Sequence, residues 1–299
     1  MATPKLIRKR GVTFAVDAEA ACSMKDCPPD WYTQWWEYTY RTWEPHTFRI
    51  FDALLESNHS YIDVGGWIGP TVLYAAAKAR HVYCLEPDPE AFRVLSANIG
   101  VHPHRDRITV AQAALSDRSG STPLGSRQLG NSESTILLRG NTPDGSASST
   151  AAQTIVTMVT MDELERRWML EGCNFMKVDI EGGEKIVIPA IASFLERRRP
   201  SLYLSLHWMH LTADEIEGLL DVLFDIYPVV YDETLRRRID RATVLNERLS
   251  AIVCLPHDFS TLKKALIRLA TIRDLGAMAA RNVAMPMWHR LQRLRVRPA

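Results

Sequence analysis

The chain of 299 residues lacks any surplus of charge, since 36 Lys and Arg stand against 35 Asp and Glu, a formal net of +1. A molecule-wide attraction to polyanions is thereby excluded, and no nucleic-acid partner is expected. Long hydrophobic runs are missing too. No segment is apolar over the ~18 residues that a membrane-spanning helix needs. The apolar run at residues 11–16 stops at Asp17, too short for the core of a secretory signal. Cysteine is sparse, odd in number and scattered: Cys22, Cys27, Cys84, Cys173 and Cys254. That spacing excludes a disulfide framework and a paired zinc motif, and it predicts a soluble protein in a reducing cytoplasm.

What the chain does have begins with 46% apolar residues, enough for a large α/β core. The stretch Tyr61-Ile-Asp-Val-Gly-Gly-Trp-Ile-Gly-Pro70 reads as strand, glycine turn and helix start. Pro70 suits the first helical turn, where its missing N–H costs nothing. Such a turn brings backbone N–H groups and a helix N-terminus to a ligand, and Gly65, Gly66 and Gly69 leave the main chain open to close approach. A second strand, residues 81–86, ends in Glu86 at the spacing of a ribose-binding carboxylate. A further helix follows at residues 90–98. Together these segments predict a βαβ nucleoside-binding unit.

Elsewhere the order of elements predicts a doubly wound sheet closed by an antiparallel hairpin. Strands are expected near residues 107–111, 154–159, 174–180 and 200–206, with closing strands at 229–231 and 249–254. Residues 154–159 read as an edge strand. Thr160 with Glu163, and Thr212, carry helix-capping signals. Residues 1–30 read as irregular. The aromatic block 31–43 reads as a helix with Trp31, Trp35, Tyr38 and Thr42 on one stripe, either core or pocket wall. Glycine, serine and threonine dominate 118–153, an expected loop insertion with short strands around 122–124 and 134–138 and a mobile segment at 141–150. Three regions follow: an N-terminal aromatic segment 1–58, a core 59–257, and a basic helical extension 258–299. Residues 259–299 hold nine Lys or Arg against one acid, Asp274. Such a tail suits packing on the core, a homo-oligomer contact or a peripheral membrane contact.

The motifs Trp43-Glu-Pro45, Tyr61-Ile-Asp-Val-Gly-Gly-Trp-Ile-Gly69, Leu85-Glu-Pro-Asp-Pro89, Ala114-Leu-Ser-Asp117, Met161-Asp-Glu-Leu164 and Met176-Lys-Val-Asp-Ile-Glu-Gly-Gly-Glu184 occur in that order. In this the chain resembles the FkbM family of S-adenosylmethionine-dependent O-methyltransferases, over roughly residues 43–206. Gly66-Trp67 departs from the family, whose members commonly have Asn after the first glycine. The resemblance implies a Rossmann-like class I methyltransferase sheet and S-adenosyl-L-methionine as cofactor. It implies that Gly65, Gly66 and Gly69 carry the methionine moiety and that Asp63 receives its amino group. Glu86 would accept both ribose hydroxyls, and Ser116 and Asp117 would lie along the adenine. Asp179 is expected among the cofactor-binding residues as well.

An alcohol is a weak nucleophile until its proton is removed, so a base or a metal is required near it. Asp179 ends its strand, Glu181 and Glu184 follow in the turn, and His207 and His210 end the neighbouring strand. His207 or Asp179 is the expected general base, with Glu181 orienting a partner. No strict ligand motif supports a metal. The expected reaction is methyl transfer to a hydroxyl of a small-molecule, sugar or glycan-end acceptor. Two alternatives stand beside it: a nicotinamide-dependent oxidoreductase and a non-catalytic cofactor-binding scaffold.

Overall fold

The computed structural model describes residues 4–20, 31–126, 129–130, 132, 134–136, 152–168, 170 and 172–284. Cys22, Cys27, the predicted mobile segment 141–150 and residues 285–299 lie outside them. The chain divides into two compact units, residues 1–258 and 259–299.

The first unit opens with a hairpin where an irregular segment is expected. Strands β1 (Pro4–Lys9) and β2 (Val12–Asp17) pair antiparallel. Arg10 and Gly11 join them, both at positive φ, as a two-residue hairpin turn of the primed type requires. Lys9 is buried, and its Nζ donates to the carbonyls of Tyr40 and Trp43 at 2.5 and 2.6 Å. The hairpin thus ties off the last carbonyls of the aromatic helix.

That helix is not regular. Helix α1 (Trp31–Gln34) runs into a π-helical turn, Trp35–Thr39, and continues as α2 (Tyr40–Thr42). The wider turn shifts the apolar stripe by about one residue. Trp35, Trp36 and Tyr40 are consequently buried, whereas Tyr38, expected on the inner stripe, is 67% exposed.

Helix α3 (Pro45–Leu54) leads to β3 (Ser60–Val64), α4 (Pro70–Ala76), β4 (His81–Leu85), α5 (Pro89–Gly100) and β5 (Ile108–Ala111). This is the predicted βαβ unit, extended by one strand. Next come β6 (Ala114–Leu115), β7 (Gly120–Ser126), β8 (Thr135–Ile136) and β9 (Ala152–Val159). These form a separate four-stranded sheet in the order β6-β9-β7-β8. The strand expected at an edge, β9, is therefore interior, paired parallel to β6 and antiparallel to β7. Its partner β7 contains the short strand expected around residues 122–124.

Helix α6 (Met161–Trp168), β10 (Cys173–Val178), α7 (Glu184–Ala190), α8 (Ala192–Arg198), β11 (Ser201–Ser205), α9 (Ala213–Ile226), β12 (Val229–Asp232), α10 (Arg241–Glu247) and β13 (Ala251–Leu255) complete the unit. The main sheet has seven strands in the order β12-β13-β11-β10-β3-β4-β5. Its strands are parallel except β13, which runs against both β11 and β12. This is a doubly wound α/β sheet with a reversed closing hairpin, as the element order predicts. The central strands β3, β10 and β11 are almost wholly buried, as a sheet covered on both faces requires.

Both predicted caps are present, and the one at Thr212 is a capping box as well. Thr160 and Glu163 exchange bonds at 3.2 and 3.3 Å, and Thr212 and Glu215 at 2.8 and 3.2 Å. Replacing Thr212 by Ala removes one acceptor from the first turn of α9 and should lower stability by about 1 kcal/mol. A urea titration checks it; an unchanged midpoint would show the cap to be dispensable.

The second unit contains α11 (Thr261–Ala284). No helix among the described residues is long and apolar enough to cross a membrane.

Candidate active site

The carboxyl ends of β3, β4, β10 and β11 meet at one crevice, where open α/β sheets place their ligands. Three of these ends carry an acid or a histidine within two residues of the strand: Glu86 after β4, Asp179 after β10 and His207 beyond β11. Register adds a polar row beneath them. Cys84, Asp63, Lys177 and Tyr203 are cross-strand partners in four neighbouring strands.

Two positions of the turn after β3 demand glycine. Gly65 has φ +94°, and a Cβ there would sit 2.0 Å from the Asp179 carbonyl oxygen. At Gly66 a Cβ would lie 2.2 Å from Cys84 Sγ. Close packing against the end of β10, sealed by the Asp179 N–H donating to the Val64 carbonyl at 3.0 Å, blocks a side chain at Gly65, and Cys84 of β4 blocks one at Gly66. This gives the glycine turn its tight entry to α4.

Glu86 is buried, with both oxygens engaged by the backbone. Trp67 N–H donates to Oε2 at 2.7 Å and Asp88 N–H to Oε1 at 2.8 Å. Burial pushes its carboxyl up to about 8, against the pull of those two donors. Each oxygen keeps a second lone pair, so the group can still accept from a vicinal diol.

Asp63 is sealed under the turn. Its Oδ2 accepts from Thr71 Oγ1 at 2.6 Å, and its Oδ1 lies 3.7 Å from Lys177 Nζ without a hydrogen bond. Burial raises its pKa, while the Lys177 charge opposes that rise. Lys177 is buried as well and reaches Asp179 at 2.8 Å. Desolvation alone would lower the ammonium pKa, yet Asp179, Asp63 and Glu44 together hold it well above its usual value.

His207 sits among three carboxylates. Its Nδ1 is 2.7 Å from Glu184, and its Nε2 lies 3.3 Å from Asp179 and 3.4 Å from Glu181. Burial would lower the imidazole pKa, but bonds to Asp179, Glu181 and Glu184 outweigh it and push it up to about 12. The ring is therefore an imidazolium at neutral pH, with neither nitrogen free to take a proton. Asp179, despite burial, is held far below the usual carboxylate range by Lys177 and His207. The two side chains expected to act as base are thus one another's ion-pair partners, and that pairing works against either being a base. Glu184 also accepts from Ile180 and Gly182 N–H at 3.1 and 2.8 Å, which fixes the turn as well as the histidine. His210 lies farther out, 3.6 Å from Glu181.

A cavity of about 420 Å³ opens beside this cluster. Its polar wall includes Glu44, Lys177, Asp179, Glu181, Tyr203 and His207, and its aromatic wall consists of Trp35, Trp43 and Trp67. The Trp35 ring centroid is 5.0 Å from that of Trp67 and 5.5 Å from that of Trp43. A narrower cavity runs past Glu86, with Leu85, Pro87, Leu115 and Ile180 as apolar sides. The two share Gly65, Trp67, Ser132, Asp179 and Glu181.

Of the residues expected from sequence, Gly65, Glu86, Asp179 and Glu181 face the narrower cavity, and Gly66 and His207 face the wider one. Asp63, Gly69, Ser116 and Asp117 line neither. Gly69 caps α4 at φ +100°, and Ser116 N–H is taken by the Val159 carbonyl at 2.9 Å. The narrower cavity is instead bordered by Ala113, Ala114 and Leu115.

Glu44, Lys177, Trp67 and Tyr203 had no assigned role in the sequence. Glu44 has φ 41°, a left-handed conformation uncommon for glutamate, and so do Trp67 at 46° and Glu181 at 50°. All three line the wider cavity, and such strain is concentrated where function demands it. Glu44 Oε2 accepts from Thr47 Oγ1 at 2.9 Å, and Thr47 is 3.0 Å from Tyr203 Oη. Burial and the neighbouring Asp179 raise the Glu44 pKa, against the attraction of Lys177 and the Thr47 bond. The sequence signal lay in Trp43-Glu44-Pro45, where Glu stands directly before a helix-starting proline although the preferred N-cap residues are Ser, Thr, Asp and Asn. This side chain makes no capping bond. Among the described residues no group of three His, Cys, Asp or Glu side chains has a geometry that could hold a metal ion.

Comparison with known proteins places this geometry in a family. The model of the methyltransferase FkbM domain matches residues 63–228. Among solved structures, an FkbM methyltransferase from Methylobacillus flagellatus KT is 16% identical with a TM-score of 0.43, the match covering 67% of this chain and 44% of that one. The chain thus spans under half the length of that protein. A precorrin-8w decarboxylase from Methanobacterium thermoautotrophicum is 14% identical, with coverage of 71% and 87% and a TM-score of 0.37. An rRNA methylase from Streptococcus thermophilus is 11% identical, with coverage of 71% and 96% and a TM-score of 0.39. No curated protein matches. Since the family model spans more than half of its residues, the chain belongs to the FkbM methyltransferase family.

Proposed function

We propose that this chain transfers a methyl group from S-adenosyl-L-methionine to a hydroxyl oxygen of a small-molecule, sugar or glycan-end acceptor. The observation that carries the reading is the meeting of the two cavities along Gly65, Trp67, Ser132, Asp179 and Glu181. One has the features a nucleoside needs, and the other has hydroxyls, carboxylates and aromatic faces. When bound, the cofactor supplies an electrophilic methyl group on a sulfonium sulfur.

The residues present fit that group. The spare lone pairs of Glu86 accept from the ribose hydroxyls, and Leu85, Leu115 and Ile180 offer apolar faces to a base. Bare backbone at Gly65 and Gly66 admits the rest. Carboxylates at the junction favour a cation and disfavour a pyrophosphate, which weighs against a nicotinamide-dependent oxidoreductase.

On the acceptor side, Trp35, Trp43 and Trp67 give planar walls on which a sugar ring stacks, and Tyr203, Ser205 and Ser250 bond its hydroxyls. Holding the oxygen in line is the main task of these contacts. Glu44 receives the acceptor proton in this reading. It faces the cavity, its pKa is raised, and among the described residues it is not ion-paired as Asp179 and His207 are. Lys177 and His207 hold Asp179 and Glu181 in position.

Calorimetric titration with S-adenosylhomocysteine tests the cofactor half. Removing two hydrogen bonds in Glu86→Ala should weaken binding about tenfold. Binding of NAD with no response to S-adenosylhomocysteine would overturn the reading. Labelled methyl donor offered with a panel of polyols, sugars and hydroxylated small molecules tests the rest. Cofactor binding without transfer to any hydroxyl would leave a scaffold instead of an enzyme.

A further inference from the structure

The wider cavity carries more negative charge than methyl transfer uses. Its described lining holds the carboxylates of Glu44, Asp179, Glu181 and Glu233 against two cations, Lys177 and His207. Both cations are committed. Lys177 bonds Asp179 and faces Asp63, and His207 meets Asp179, Glu181 and Glu184. A bound sulfonium gives Asp179 and Glu181 a further partner, since these two border both cavities. Glu44 and Glu233 border the wider cavity alone. Glu44 has a proton to receive. Glu233 has no part in the reaction so far.

Glu233 follows β12 directly, half-buried, and its carboxylate accepts from Ser250 Oγ at 3.1 Å. The arginines that come next in the chain do not neutralise it. Arg237 bonds Glu247 at 2.7 and 2.5 Å, and Arg238 lies 3.8 Å from Asp258. Among the described residues no Lys, Arg or His stands within ion-pair distance of Glu233. The aromatic side of the cavity attracts the same kind of ligand. Trp35, Trp43 and Trp67 line it, and the face of an indole draws cations.

Resting on the methyltransferase reading, the geometry points to an acceptor that carries a protonated amine as well as its hydroxyl, an amino sugar or amino alcohol, selected by Glu233. An ammonium supplies the counter-charge that Glu233 lacks and settles against an indole. A neutral sugar leaves that carboxylate without one. A carboxylated or phosphorylated acceptor is repelled, because Lys177 and His207 are already taken. The protonated nitrogen has no lone pair, so the methyl group goes to oxygen. The O–C bond forms as the S–C bond breaks, and the hydroxyl proton passes to Glu44.

The test loads the full chain with S-adenosylhomocysteine and titrates it with glucosamine, glucose and glucuronate, followed by tryptophan fluorescence and calorimetry. Glucosamine should bind about tenfold more tightly than glucose, and glucuronate most weakly. Glu233→Gln keeps an oxygen for Ser250 and removes only the charge. It should abolish the preference for glucosamine at an unchanged unfolding temperature and an unchanged affinity for S-adenosylhomocysteine. The inference is overturned if none of the three sugars binds, if they bind equally, if glucuronate binds best, or if the preference survives in Glu233→Gln. The labelled-donor assay separates its failure from that of the methyltransferase reading. Preference for glucosamine without transfer to any hydroxyl strikes the enzyme and leaves the cation site. Transfer to neutral hydroxyl compounds ahead of their amino counterparts, or methyl found on nitrogen, strikes the amino-acceptor inference and leaves the enzyme.

Discussion

Replacing Lys177 by methionine is expected to lower the stability of the protein by ~3–5 kcal/mol, the cost of breaking a buried ion pair from one side. The stem of the side chain is kept and only the charge is lost. Lys177 is 3% exposed and stands between Asp63 and Asp179. Asp63 is fully buried, so no solvent replaces the ammonium there. Urea unfolding at neutral pH measures the loss. Adding Asp63→Asn to the variant should recover part of it, because an amide needs no counter-charge.

Acid should narrow the gap between wild type and variant. Asp179 is held far below its unfolded value of 3.8 by burial-resisting contacts to Lys177 and His207, so its contribution is present above that value and lost as pH falls toward the folded one. The variant lacks most of that contribution from the start. A Lys177→Met protein as stable as wild type at pH 7 would mean that the buried cation is not needed to hold the strand ends together.

Glu44→Gln is expected to reduce kcat by roughly 10²–10⁴, the usual contribution of a positioned base. The acceptor for this measurement is whichever hydroxyl compound the labelled-donor panel identifies. Affinity for S-adenosylhomocysteine should stay the same, since Glu44 does not line the narrower cavity. Only the ionised carboxylate accepts a proton. Because burial raises the Glu44 pKa above its ordinary 4.5, the wild-type rate should climb with pH along a limb displaced to higher pH, and the variant should lack that limb. Should Glu44→Gln turn over normally while His207→Asn fails, the base belongs to the His207 and Asp179 pair after all.

Much of the site was legible because its residues sit where backbone geometry dictates their type. Gly65 and Gly66 are fixed by two close approaches, and Glu86 by the end of β4, so local sequence announces them. The capping residues Thr160 and Thr212 act within three residues of themselves, which is also why they could be read. The unread parts depend on distant contacts. Lys177 between two acids is a matter of strand register, and the row from Cys84 to Tyr203 exists only once β4, β3, β10 and β11 are side by side.

His207 shows the limit most clearly. A histidine at a strand end reads as a base, and only the arrival of Asp179, Glu181 and Glu184 around it makes it a fixed cation. Tyr38 was misplaced for a local reason that no period of 3.6 can convey, the extra residue in the π turn. At β1 and β2 the signal was present: apolar and charged residues around an Arg10-Gly11 pair are a hairpin pattern, masked by the basic residues beside it.

Glu86 and Asp88 lie two residues apart and face different parts of the molecule. Asp88 N–H bonds Glu86, while Asp88 Oδ2 accepts from Gly130 N–H and Ser134 Oγ, each at 2.8 Å. Trp67, whose main chain also bonds Glu86, sends its indole N–H to the Gly130 carbonyl at 2.8 Å. One short segment therefore connects Glu86 to Gly130 and Ser134, and the nearby Ser132 borders both cavities. Any adjustment of this segment on filling one cavity reaches the rim of the other. Thermodynamics then sets the bargain between them: by whatever factor the first molecule to arrive tightens or loosens the hold on the second, the second alters the hold on the first by the same factor.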